Sequence, residues 1–135
     1  MIKLIVGKKG TGKTKILIDM VNHSLETSGG NVVVLEKGAK LTFDVKYTAR
    51  LIDVEHYKID GYCMFYGFVA GLLAGNYDIT DLYVDSILKI GGRDFDKLGE
   101  VLASLDVLAE ENNTTLVFTI SADQSELPES VTKYL

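Results

Sequence analysis

A chain of 135 residues suits one domain, and a composition of 47% hydrophobic and 24% charged residues supplies enough apolar material for a real core. The net charge of −5, from 14 basic and 19 acidic side chains, argues against nucleic acid as the main partner, because binding a phosphate backbone requires a surplus of cations. With Cys63 as the only cysteine, an internal disulfide is excluded.

The apolar run Ile2 to Val6 predicts a buried strand. It is too short for a secretory signal, and a Gly/Lys loop interrupts it at once. That loop, Gly7 to Thr14, reads G-K-K-G-T-G-K-T and matches the phosphate-binding pattern G-x-x-x-x-G-K-[ST]. Each position has a physical task. Gly7, Gly10 and Gly12 are expected to turn the backbone through positive φ, so that successive amides point inward at an anion. The following helix contributes its dipole and its unpaired N–H groups. Lys13 offers a point charge to the β and γ phosphates, and the Thr14 hydroxyl suits Mg²⁺. Lys8, Lys9 and Lys15 flank the same spot, and Thr11 completes the loop.

Ile16, Leu17, Met20, Val21 and Leu25 recur at helical spacing, which predicts a helix from Gly12 or Lys13 to about Thr27, ended by a left-handed glycine in Ser28-Gly29-Gly30-Asn31. Val32 to Leu35 reads as a second buried strand of a parallel sheet, with Glu36 at its carboxyl end. Residues 37–46 are turn-like. Residues 46–54 alternate, with Tyr47, Ala49, Leu51 and also Val54 assigned to one face, which predicts an edge strand with one wet face. The most apolar stretch, Tyr62 to Ala74, is too short to span a bilayer and reads as a helix opening near Gly61. Its Gly67, Gly71 and Gly75 recur every four residues. They are expected to permit close helix-on-sheet packing, with a self-association face as the alternative. Cys63, in the same stretch, is expected to be a buried small hydrophobe in a reducing compartment.

Asp81 to Asp85 predicts a third core strand ending in an acid that fits Mg²⁺ coordination. Ile87 to Gly92 reads as a loop. Asp94 to Asn112 carries Phe95, Leu98, Val101, Leu102, Leu105, Leu108 and Ala109 in a 3.6-residue rhythm, and Thr115 to Ile120 is a fourth core strand. The remainder, from Ser121, is a polar tail with room for one helical turn. Strands alternating with helices imply an α/β fold in three layers, a mainly parallel sheet with helices on both faces. Ligands of such sheets bind at the carboxyl ends of the strands, where the loop, Glu36, Asp85 and Ser121 all fall. His23, His56 and Cys63 form no metal-ligand pattern, so no zinc site is expected. The scarce arginines, Arg50 and Arg93, leave Arg93 as a phosphate-contact candidate beside the reading of a helix-start solubiliser.

Through Gly7 to Thr14, Glu36 and Leu82 to Asp85 the chain resembles the P-loop NTPase superfamily, and within it the RecA-like ATPases. The resemblance implies ATP and Mg²⁺ as cofactors, with Thr14 and Asp85 on the metal side and Lys13 at the phosphates. It also implies that Glu36 activates the attacking water; Ser86, next to Asp85, cannot do so. Ser121 resembles in position the polar residue that senses the γ-phosphate, with Thr119 as its alternative. The leading expectation is a cytoplasmic, Mg-dependent ATPase with a nucleoside triphosphate as its partner and no membrane insertion. The alternatives are a small nucleotide or metabolite kinase, disfavoured by two arginines and no lid, and a non-hydrolysing, nucleotide-responsive module that engages a protein partner or a second copy of itself.

Overall fold

The computed structural model describes residues 1–38 and 49–135. The expected turn at 37–46 and the start of the strand expected at 46 therefore lie mostly outside the described residues. The element order is β1 (Ile2–Gly7), α1 (Lys13–Thr27), β2 (Asn31–Glu36), β3 (Arg50–Asp53), α2 (Tyr62–Gly75), β4 (Ile79–Val84), α3 (Ile87–Gly91), α4 (Phe95–Asn112), β5 (Thr115–Ser121), a 3-10 turn (Gln124–Glu126) and α5 (Glu129–Thr132). All described strand pairs are parallel, in the order β1-β5-β4-β2-β3. Helices flank both faces, so the expected three-layer α/β sandwich is the architecture of the chain.

The period of two along each strand divides the apolar residues between two cores. Leu35, Leu82, Val84, Phe118 and Ile120 meet Phe65, Val69, Leu102 and Leu105 from α2 and α4. Val32, Val34, Tyr83 and Val117 meet Leu17 and Val21 from α1, the only helix on that face among the described residues. Because strands buried on both faces need apolar residues at every position, β2, β4 and β5 read as near-continuous runs.

The register then fixes the site. Gly7 pairs with Ser121, Val84 with Phe118, and Leu35 with Val84, so the carboxyl ends of all four strands lie on one edge of the sheet, with β1 and β5 reaching further than β4 and β2. Glu36 continues the parity of Val34, Asp85 that of Tyr83, and Thr119 and Ser121 that of Val117. All four therefore emerge on the α1 side of the sheet, where α1 begins.

Several expectations are corrected. The segment expected to be a loop at Ile87 to Gly92 contains the five-residue helix α3, with Ile87, Leu88 and Ile90 buried. Gly67, Gly71 and Gly75 are exposed, and a Cβ added at any of them meets nothing within 4 Å, so they mediate no close packing. The inward face of α2 belongs instead to Phe65, Val69 and Leu73, whose larger apolar area gains more from burial. Cys63 is exposed as well. No charged residue occurs anywhere in α2, so its outward face is uncharged. Strand β3 does lie at the sheet edge, but Ile52 and Val54 enter the α2-side core while Leu51 packs on the α1-side core, so neither face is simply wet. No left-handed glycine ends α1: Ser28 is extended, and its amide donates to the Ser24 carbonyl. Glycine is required at position 30 because a Cβ there would stand 2.3 Å from the Asp78 carbonyl oxygen. No described helix is long and apolar enough to cross a membrane.

Candidate functional site

The loop between β1 and α1 has the geometry of an anion cradle. Gly10 and Gly12 take φ of 85° and 84°, the left-handed region that disfavours side chains. Gly7 does not; glycine is required there because a Cβ would lie 2.6 Å from Thr11 Oγ1. That hydroxyl donates to the Lys8 carbonyl at 2.7 Å and holds the loop closed on itself. No side chain caps α1. Among the described residues, the amides of Lys9, Gly10, Thr11 and Gly12 donate to no protein acceptor. A run of unpaired amides at a helix start is the donor set that a phosphate would satisfy.

Lys13 is 8% exposed, and its Nζ donates to the Lys8 carbonyl at 2.8 Å. Burial holds its pKa below the usual lysine value, and the negative charge of Asp85 partly opposes that shift. Thr14 Oγ1 lies 3.3 and 3.4 Å from the two carboxylate oxygens of Asp85. Asp85 is itself fixed: its amide donates to the Leu35 carbonyl at 3.0 Å, and Thr119 Oγ1 donates to its Oδ1 at 2.7 Å. Thr119 also accepts from the Ser86 amide at 2.6 Å, so both functions of its hydroxyl serve the Asp85 turn. Ser86 sits there with φ 58°. Of the two polar residues weighed for the end of β5, Thr119 is thus engaged in structure, whereas Ser121 uses only its carbonyl, which accepts from Arg93 at 3.1 Å.

These groups surround a cavity of about 570 Å³ walled by Lys9, Gly10, Gly12, Lys13, Thr14 and Ser121 together with Ser86, Leu88, Lys89, Arg93 and Thr119. Of the expected ligand residues, Gly7, Lys8, Thr11 and Lys15 are not on its wall. Gly7 and Thr11 shape the loop, Lys8 pairs with Asp123 at 3.5 Å, and Lys15 pairs with Asp19 at 3.7 Å on the exposed side of α1. Asp85 stands behind Thr14. Glu36, 5% exposed, ends β2 beside it and is likewise not on the wall. The acid at the next strand end has a different fate. Asp53 accepts the amides of Gly38 at 2.8 Å and Glu55 at 2.9 Å, and the Gly38 bond holds its carboxyl below the usual range. It is a turn anchor.

Lys89 was not legible as a site residue: a lone lysine in a segment read as a loop gives no signal. The segment that carries it is held from behind. The Tyr62 hydroxyl donates to the Gly92 carbonyl at 2.6 Å, and the Gly61 amide donates to the Ile90 carbonyl at 2.9 Å. Burial, reinforced by the charge of Asp94 and opposed by that of Arg93, pushes the Tyr62 phenol up to about 12, so it remains a donor. A Cβ at Gly91 would meet the Tyr62 ring at 2.1 Å. Gly91→Ala is therefore expected to destabilise the protein by about 1–3 kcal/mol, the usual cost of overpacking, read as a lower midpoint in denaturant. An unchanged midpoint would mean that ring and segment separate freely.

No family model matches the chain, and no curated protein matches it. Among solved structures, the chain is similar to the flagellar accessory protein FlaH from Methanocaldococcus jannaschii, with a TM-score of 0.60 and 18% identity over 98% of this chain and 65% of that one. This chain thus spans somewhat under two thirds of that protein's length. At this identity the likeness shows the fold alone, an α/β sandwich with a parallel sheet.

Proposed function

We propose that the protein binds a nucleoside triphosphate such as ATP with Mg²⁺ and hydrolyses it. One observation carries this reading: a loop of open amides at the start of α1 faces the same cavity as Lys13 and the Thr14 hydroxyl, with Asp85 directly behind that hydroxyl. The amides of residues 9–12 hold non-bridging phosphate oxygens, and Lys13 exchanges the Lys8 carbonyl for a phosphate. Thr14 and Asp85 hold the metal. Such an ion would be completed by phosphate oxygens and water. When bound, Mg²⁺ neutralises charge on the phosphates. Glu36 accepts the proton of the attacking water, and Ser121, a residue of the cavity wall, donates its hydroxyl to the terminal phosphate.

A RecA-like fold serves many processes, and the process here is not named by the fold. The test is a thermal-shift panel with ATP, GTP and ADP, each with and without Mg²⁺, followed by phosphate release. Saturation at a hundred times Kd should add about 2.7 kcal/mol of stability. A melting temperature that no nucleotide raises would reject the reading.

A further inference from the structure

The wall of the cavity that lies across β5 from the loop carries two further cations, Lys89 on α3 and Arg93 just after it. With Lys9 and Lys13 they give the wall four cations and no carboxylate, in a chain whose net charge is −5. Lys89 is exposed, and its ammonium makes no hydrogen bond or ion pair with the described residues. Arg93 rests on the Ser121 carbonyl at 3.1 Å, with Glu126 at 3.5 Å as its counter-ion and the Phe95 ring at 5.4 Å beneath it. Its ion pair is half-exposed and weak, so a phosphate can displace Glu126 at little cost. Both cations stand on a packed frame: Ile87, Leu88 and Ile90 are buried, the Tyr62 hydroxyl donates to the Gly92 carbonyl, and the Tyr62 ring lies against Gly91.

Position decides which phosphate they meet. The loop amides account for the proximal part of the phosphate chain, and Lys13 reaches on toward its β and γ groups from the α1 side only. The segment of residues 86–93 follows directly after Asp85, which with Thr14 would hold the metal, and it walls the cavity on the side opposite the loop amides. We propose that Lys89 and Arg93 hold the terminal phosphate, so that the site separates a nucleoside triphosphate from a diphosphate by charge. This rests on the nucleotide reading above and adds its selectivity.

The test is calorimetric titration of the full chain and of Lys89→Ala, Lys89→Arg and Arg93→Ala with Mg·ATP and Mg·ADP. Lys89→Ala should weaken ATP binding about tenfold, or 1.4 kcal/mol, and change ADP binding by less than about twofold; Lys89→Arg should restore ATP binding. Arg93→Ala should act in the same sense. Should that variant melt early without nucleotide, because Arg93 also ties Ser121 to Glu126, the outcome rests on Lys89. Equal weakening of both nucleotides, or of neither, by Lys89→Ala would overturn the assignment and leave the nucleotide reading standing. A wild-type chain that binds neither nucleotide would instead overturn the reading itself.

Discussion

Lys13→Ala is expected to remove ATP binding at micromolar concentrations and to leave the nucleotide-free protein at least as stable as the wild type. The first half follows from geometry. Lys13 is a nearly buried residue beside the open amides of residues 9–12, and losing one member of a buried, hydrogen-bonded charge pair costs roughly 2–5 kcal/mol, about thirtyfold to a few thousandfold in Kd. The second half follows from its ionisation. Burial lowers the Lys13 pKa in the folded state below its unfolded value, so the folded chain binds fewer protons in the window between the two. Stability therefore rises with pH through that window. Below it the charged ammonium is a net burden on the fold. The Lys8 carbonyl it leaves still accepts from Thr11, so no acceptor is orphaned. Calorimetry and thermal melts of the variant check both halves. Undiminished affinity would mean that the phosphates lie elsewhere, and a large drop in nucleotide-free stability would mean that Lys13 is chiefly structural.

Glu36→Gln is expected to retain Mg·ATP binding within a few-fold and to lower phosphate release by about 10²- to 10⁴-fold, the range for loss of a general base. The amide preserves shape and most hydrogen bonds while removing the proton acceptor. Glu36 emerges on the α1 side of the sheet, one strand away from the β4 end that leads into Asp85, whose amide bonds to the Leu35 carbonyl immediately before it. On the proposed reading Glu36, buried and off the cavity wall, acts on a water rather than on a phosphate. Single-turnover assays separate this outcome from simple loss of binding. Wild-type turnover in the variant would reject the role.

The architecture was legible because long apolar runs with no alternation occur only where both faces of a strand are covered, and each such run stops at a polar residue of the right parity. Glu36, Asp85 and Ser121 could be named from that rule alone. Other features resisted for physical reasons. In α2 the glycines at 67, 71 and 75 and the large residues at 65, 69 and 73 share one spacing, so periodicity could not say which set turns inward; side-chain area decides it. Cys63 followed the same error. Helix α3 spans little more than one turn and ends in two glycines, too short for any period to register. Gly7 was grouped with the left-handed glycines, although its constraint is the Thr11 hydroxyl, a contact no local pattern encodes. Lys89 became visible only when the fold carried it to the cavity.

The loop joins β1, the outermost strand of the sheet on its side, to α1, which alone covers its face among the described residues. An edge strand pairs on one side only and opens in amide exchange with heavy water before the central strands, so β1 and the loop after it should be less protected than the β4–β2 centre of the sheet. Occupancy by a ligand would then slow deuterium uptake across β1 and α1 while leaving the β4–β2 centre of the sheet as slow as before.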